Sequence, residues 1–247
     1  MNVCLITAVS HPGCTAHIRD AFVAQLNSLM PEAQISHQFV LPEDGPAYCL
    51  GCKACFDQDM SACPHRTVTL PIWHAMEDAN LLVFITPTYV FSIPGQLKAL
   101  LDHFGSRWIV HKPSPKMLGK QALIINQAVG AGFRSTLIPL KHSLRFWGVK
   151  RVYSIKVRLG MTDYDLVDQK VKTKLSRKIE EKIRIIEDEK RDVSPGFVAK
   201  LLYHAMAIGH RGIHKMLQKK GQPVASDYLF WQKEGWLDGR FPWKDKA

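Results

Sequence analysis

The stretch Leu81-Leu82-Val83-Phe84-Ile85-Thr86-Pro87-Thr88-Tyr89-Val90-Phe91-Ser92-Ile93-Pro94-Gly95-Gln96-Leu97-Lys98-Ala99-Leu100-Leu101-Asp102 decides the fold. Its first five residues are apolar without interruption. A strand apolar along its whole length has both faces covered, as in a parallel sheet between layers of helices. Leu97, Leu100, Leu101 and Phe104 then recur at helical spacing. The same strand, loop and helix order appears on both sides. Residues 3–8, 35–41, 122–125 and 152–157 are further strand candidates. Helical patterns run through Ile18, Phe22, Leu26 and Met30, through Leu70, Trp73, Met76 and Ala79, over 137–147, and through Val171, Leu175, Ile179, Ile183 and Ile186. Five βα units in series predict a doubly wound α/β domain.

Such sheets bind ligands outside the carboxyl ends of their strands, where the strand order reverses. The loop after the first strand, Ser10-His11-Pro12-Gly13-Cys14-Thr15-Ala16, leads straight into a helix. A helix N-terminus offers free N–H groups and a positive dipole end to a phosphate. Ser10 and Thr15 add hydroxyls, Gly13 permits a tight bend, and His11 and His17 stand nearby. A plain turn with Thr15 as N-cap is the alternative. The loop is neither G-x-G-x-x-G nor a Walker loop, which disfavours a dinucleotide-binding Rossmann domain or an NTPase. In the loop after the third strand, Pro87 stiffens the exit. The amides of Thr88, Tyr89 and Val90 can then address the polar edge of a flat ring, with Tyr89 and Phe91 packing on its face or walling it off. Aromatics that merely cover the sheet edge are the alternative there.

The string T-P-T-Y-V-F-S-I-P-G-Q-L-K-A-L-L-D resembles the FMN-binding stretch of the NADPH-dependent FMN reductase and flavodoxin-like oxidoreductase family. S-H-P-G-C-T resembles that family's phosphate loop, shortened here, with Val9 before Ser10 and Cys14 where Asn is common. The resemblance covers about residues 1–160. It implies a flavodoxin-like three-layer fold with five parallel strands in the order 2-1-3-4-5, FMN as cofactor, NAD(P)H as co-substrate and a homodimer. It places Gln127, Ala128 and Gly130 in a loop against the flavin, with Gly132 suited to close approach. The flavin then carries the chemistry and no catalytic side chain is required. No Ser/His/Asp grouping, G-x-S-x-G or H-E-x-x-H points to hydrolysis. The expected activity moves electrons from a nicotinamide through FMN to a quinone, small-molecule or protein acceptor. A non-enzymatic iron–sulfur and flavin electron carrier is the alternative, and a module that has lost its cofactor is a third reading. Flavodoxin carriers are typically acidic, whereas this chain has a formal net charge of +11, which favours the enzyme.

Cys49-x2-Cys52-x2-Cys55-x7-Cys63 stands apart from these loops. Thiols at i, i+3 and i+6 can turn inward around one small cluster. Structural zinc more often uses knuckles separated by a longer spacer, whereas closely repeated C-x2-C is an iron–sulfur habit. The motif resembles that of the iron–sulfur flavoproteins, a branch that ligates a [4Fe–4S] cluster. Zinc, redox thiols and simple burial of four small side chains remain open. His65 reads as a surface histidine, with a substitute ligand as the other option.

Several function classes are set aside by composition. The positive charge attracts anions of any kind, but no nucleic-acid-binding signature accompanies it. No apolar run approaches the ~18 residues of a membrane span. The first residues read as a strand rather than a leader, so a cytoplasmic location is expected, and crowded thiols fit a reducing compartment. Residues 1–190 are expected to form the FMN-binding domain, with a Cys-rich insertion at 43–66, and 191–247 a basic amphipathic extension. In that extension Phe197, Leu201, Leu202, Ala205, Ile208, Ile213 and Leu217 form an apolar stripe, with Lys200, His204, Arg211 and Lys215 largely off it. The expectation is that the stripe packs on its own domain or across a dimer. Lying on a membrane or binding a partner is the alternative. The aromatic tail (Tyr228 to Trp231, Trp236, Phe241 and Trp243) is expected to fold back over apolar surface.

Overall fold

The computed structural model describes residues 1–244. Its strands are β1 (Asn2–Thr7), β2 (Gln34–Val40), β3 (Leu81–Pro87), β4 (Gln121–Ala128) and β5 (Arg151–Arg158). Its α-helices are α1 (Cys14–Leu29), α2 (Ala54–Asp57), α3 (Arg66–Asp78), α4 (Gly95–His103), α5 (Phe133–Phe146), α6 (Gln169–Asp188), α7 (Phe197–Lys219) and α8 (Ser226–Lys233). The strands form one parallel sheet in the order β2-β1-β3-β4-β5, the flavodoxin-like order.

Strand periodicity divides the core in two. Side chains alternate across a sheet, so Cys4, Ile6, Leu82, Phe84 and Ile124 enter one cluster, and Val3, Leu5, Val83, Ile85 and Ile125 the other. The first cluster is completed by Trp73 of α3, Leu97 and Leu100 of α4, and Leu140 and Leu144 of α5. Ile18, Phe22 and Leu26 of α1 complete the second with Leu175, Ile179 and Ile183 of α6. β3 and β4 are buried at every position, and each buried Leu, Ile or Phe contributes about 1.5–3 kcal/mol. The edge strands differ. Ser36, His37 and Gln38 of β2 are exposed, and the first half of β5 is only half-buried. Unbroken apolarity therefore marks the middle of the sheet alone.

Beyond α6 a third cluster forms. Ala199, Tyr203 and Ala207 of α7 pack on Trp231 of α8, on Trp236 and Phe241, and on Ile109 from the segment after α4. Trp231 Nε1 donates to the His111 carbonyl (2.6 Å), and Ser226 Oγ to that of Phe56 (2.5 Å). The tail thus folds back as expected, onto α7 and onto the far side of the cysteine loop. Within one chain the α7 stripe packs only in part: Leu202 and Leu217 are half-buried, while Phe197, Leu201, Ala205, Ile208 and Ile213 face solvent and are open to the expected packing across a dimer. The bulk of the tail indoles lets small residues form the buried face instead. Among the described residues no helix is long and apolar enough to cross a membrane.

Candidate active site

Between β1 and β3 the strand order reverses, and there a cavity of about 350 Å³ opens at the carboxyl ends of β1, β3 and β4. Its first wall is the β1–α1 loop, with Val9, His11, Gly13, Cys14 and Thr15. The N-cap of α1 is Gly13, no side chain caps the helix, and its first turn holds no acidic residue. Thr15 is not the N-cap. It lies inside the first turn, buried, and its Oγ1 accepts from Gln127 Nε2 (3.1 Å), which ties this loop to the end of β4. Gly13 has an extended backbone that any residue adopts. A Cβ there would stand 3.0 Å from Nδ1 of the exposed His11, a tight contact that a small shift of that side chain relieves. Burial pushes the Cys14 thiol up, and its Sγ donates to the Thr162 carbonyl (3.3 Å). Cys14 is a neutral tether, and that bond brings the loop after β5, with Met161 and Thr162, into the wall.

Pro87, Thr88 and Tyr89 form the second wall. Tyr89 and Ser92 exchange backbone bonds of 2.9 and 2.8 Å, closing a two-residue turn on Val90 and Phe91. Both turn residues are left-handed, with φ of 48° and 56°. Such a turn suits Asn-Gly; a β-branched residue held there is strained by roughly 1–3 kcal/mol. A buried polar network holds it. Asn126 Nδ2 donates to the Thr86 carbonyl (3.0 Å) and to Thr88 Oγ1 (3.2 Å). Thr136 Oγ1 donates to the Ser92 carbonyl (3.0 Å), and Ser135 Oγ to that of Phe91. Gly132 (φ 92°) lies under the turn, where a Cβ would meet Thr88 Cγ2 at 2.7 Å and Phe91 Cα at 3.1 Å. Gly132→Ala is therefore expected to cost about 2–4 kcal/mol, adding a left-handed penalty to backbone crowding, read as a lowered unfolding midpoint in urea.

The sequence profile of the NADPH-dependent FMN reductase family matches residues 1–160. The chain belongs to that family. It is an NAD(P)H-dependent FMN oxidoreductase. No curated protein matches the chain. Among solved structures it resembles an azoreductase from Bacillus anthracis str. Sterne at 15% identity and a TM-score of 0.60, over 74% of this chain and 98% of the other. An FMN-dependent NADH-azoreductase from Bacillus anthracis str. Ames Ancestor, solved with FMN, gives 14% and 0.55 over 75% and 99%. NAD(P)H:quinone oxidoreductase from Methanothermobacter marburgensis gives 16% and 0.55 over 76% and 97%. At these identities the likeness concerns the fold.

Of the residues expected to hold cofactor in this FMN reductase, Gly13, Cys14, Thr15, Pro87, Thr88, Tyr89 and Gln127 line the cavity. The structure places the others elsewhere. Ser10 is exposed, and the Ala16 N–H bonds back to the Gly13 carbonyl (2.9 Å). The left-handed turn throws Val90 (97% exposed) and Phe91 (69% exposed) into solvent. Ala128 is buried in β4 and Gly130 borders open space, and neither is among the residues lining the cavity. His11 joins them, beside the N-terminus of α1, while Val9, Val129, Met161 and Thr162 were not expected there.

The four clustered cysteines of this FMN reductase, Cys49, Cys52, Cys55 and Cys63, line a second cavity of about 60 Å³. All six cysteines are free. Lys112, buried, donates through Nζ to the carbonyls of Phe56 (2.5 Å) and Gln58 (2.6 Å) and pins the loop. His65 is half-buried rather than on the surface. Its Nδ1 lies 2.8 Å from Nε2 of His103, whose Nδ1 faces the Ala99 carbonyl at 2.8 Å. Cys63, His65 and His103 have ligand atoms within 4.8 Å of one another. His103, buried on α4, gave no signal in the sequence.

Proposed function

We propose that the cavity between β1 and β3 holds FMN, with the phosphate at the N-terminus of α1 and the ring along Pro87–Tyr89 and Gln127. One observation carries this reading: four loops, each following a different strand, converge on a single cavity at the switch point. Its volume lies within the ~300–1,000 Å³ of cofactor pockets. The uncapped, acid-free helix start suits a dianion. Bound there, the flavin supplies hydride acceptance from NAD(P)H and electron delivery to a quinone, small-molecule or protein acceptor. The chain's residues bind and orient: Gln127 and Thr15 fix the floor, Asn126 and Thr136 fix the ring-side loop, and Tyr89, 46% exposed, borders the open side where an acceptor enters. Titration of apoprotein with FMN, followed by anaerobic addition of NADH or NADPH, tests it. Stoichiometric binding and bleaching by a nicotinamide are expected.

The cysteine cavity supports a [4Fe–4S] reading, because four thiols around one void is the donor set such a cluster takes. Protein purified without oxygen is expected to carry about four irons and matching acid-labile sulfide per chain. Cys55→Ser is expected to abolish both while leaving FMN content unchanged; iron-free protein that still reduces its acceptor would remove the cluster from the account. Six unpaired thiols support a cytoplasmic location. The remaining parts of the reading are a division at 1–190 and 191–247, and a homodimer, for which light scattering after size exclusion is the check.

A further inference from the structure

We propose that the exposed face of α7 docks the protein peripherally on an anionic lipid bilayer. α7 is amphipathic twice over. Ala199, Tyr203, Ala207 and His210 are buried against the tail, so the fold's own demand on the helix is met by that side. On the opposite side Phe197 (79% exposed), Leu201 (57%), Ile208 (66%) and Met216 (47%) recur at helical spacing and, among the described residues, belong to none of the three core clusters. At 1.5 Å per residue the helix is about 35 Å long, so this stripe is far larger than a scattered surface leucine.

Charge selects the occupant. From Val193 to Ser226 the chain has no Asp or Glu, while Lys200, Arg211, Lys215, Lys219 and Lys220 lie on or directly after the helix. Lys200, His204, Arg211 and Lys215 fall along one flank of the apolar stripe at 100° per residue. An apolar face bordered by cations is the pattern of a helix lying in the headgroup plane, its apolar side chains in the acyl boundary and its cations among anionic headgroups. A second copy of the chain would bring the same acid-free helix and no carboxylate from it to pair the cations. α7 is too polar to span a bilayer, so docking is peripheral and reversible.

Flotation of the full-length, flavin-loaded protein with unilamellar vesicles tests this. One set is pure phosphatidylcholine and the other contains about a quarter phosphatidylglycerol. The protein is expected to float with the anionic vesicles only and to be released by high salt. The double variant Leu201→Asp/Ile208→Asp, at two exposed positions, is expected to stay in solution with unchanged flavin content and unfolding temperature. Changing Lys200, Arg211 and Lys215 together to Gln is expected to weaken partitioning about a hundredfold. Equal binding to neutral vesicles, or no binding to either, overturns the proposal. So does a wild-type dimer that Leu201→Asp/Ile208→Asp converts to monomer without any vesicle binding, since a second copy would then be the occupant.

Discussion

Asn126→Leu is expected to lower the unfolding temperature by about 10 °C and to weaken FMN binding by about a hundredfold. Asn126 is fully buried near the end of β4, and its amide reaches across to the Thr86 carbonyl and Thr88 Oγ1 at 3.0 and 3.2 Å. Leucine has the same branching and is bulkier, so no cavity opens, and any overpacking adds to the polar loss. Two bonds of about 1 kcal/mol disappear, and the stranded Thr86 carbonyl adds a further 1–3 kcal/mol, for a sum of about 3–5 kcal/mol; Thr88 Oγ1 keeps Thr136 as a partner. In a chain of this size each kcal/mol moves the midpoint by roughly 2–4 °C. The effect on FMN has a separate origin. Thr88 is the point at which β4 and α5 both grip the loop after β3, through Asn126 and Thr136 (3.0 Å). Without that grip the strained Val90–Phe91 turn relaxes and Pro87–Tyr89 lose their place in the wall. Melting curves and FMN titration of the same preparation check both halves. A fall in stability with unchanged affinity would mean that the loop is held by something else.

His11→Glu separates binding from stability. His11 is exposed and borders the cavity beside the N-terminus of α1. A carboxylate there opposes the phosphate. At a few ångströms and an effective dielectric near 20, two like charges cost about 3 kcal/mol, a factor of about a hundred in Kd. The apoprotein is expected to keep its stability to within about 0.5 kcal/mol, because the site is exposed and an acid near a helix start is mildly favourable. His11→Gln, without the charge, is expected to bind FMN nearly as well as the parent. The penalty in His11→Glu is expected to shrink as salt rises, since the site is open to solvent. Isothermal titration at two ionic strengths measures both.

Most of the architecture was legible because its causes are local. β3 and β4 are central, so burial on both faces writes itself as unbroken apolar runs. β2 lies at an edge, and its exposed Ser36, His37 and Gln38 blur the pattern. That the loops after β1 and β3 would line one cavity was legible because each follows an apolar strand directly. What escaped was non-local. Met161 and Thr162 join the wall through a contact between Cys14 and Thr162 that spans 148 residues, and nothing in their own sequence announces it. Phe91 read with Tyr89 as an aromatic wall and Val90 as part of the cofactor-binding stretch, but the left-handed turn reverses Val90 and Phe91 into solvent without any glycine to signal it. Asn126 lay hidden as a polar residue just past the apolar run 122–125. In α7 the apolar stripe was visible and its destination was not. The packing face is set by the tail indoles, which meet alanines and Tyr203 rather than the larger aliphatic residues.

The most direct measurement is an anaerobic absorption spectrum of the FMN-reconstituted protein during titration with NADH and then NADPH. An FMN oxidoreductase with the cavity described above is expected to take up one FMN per chain and to lose its flavin absorption as one nicotinamide is added. Failure to bind FMN, or bound flavin that neither nicotinamide bleaches, would contradict the account.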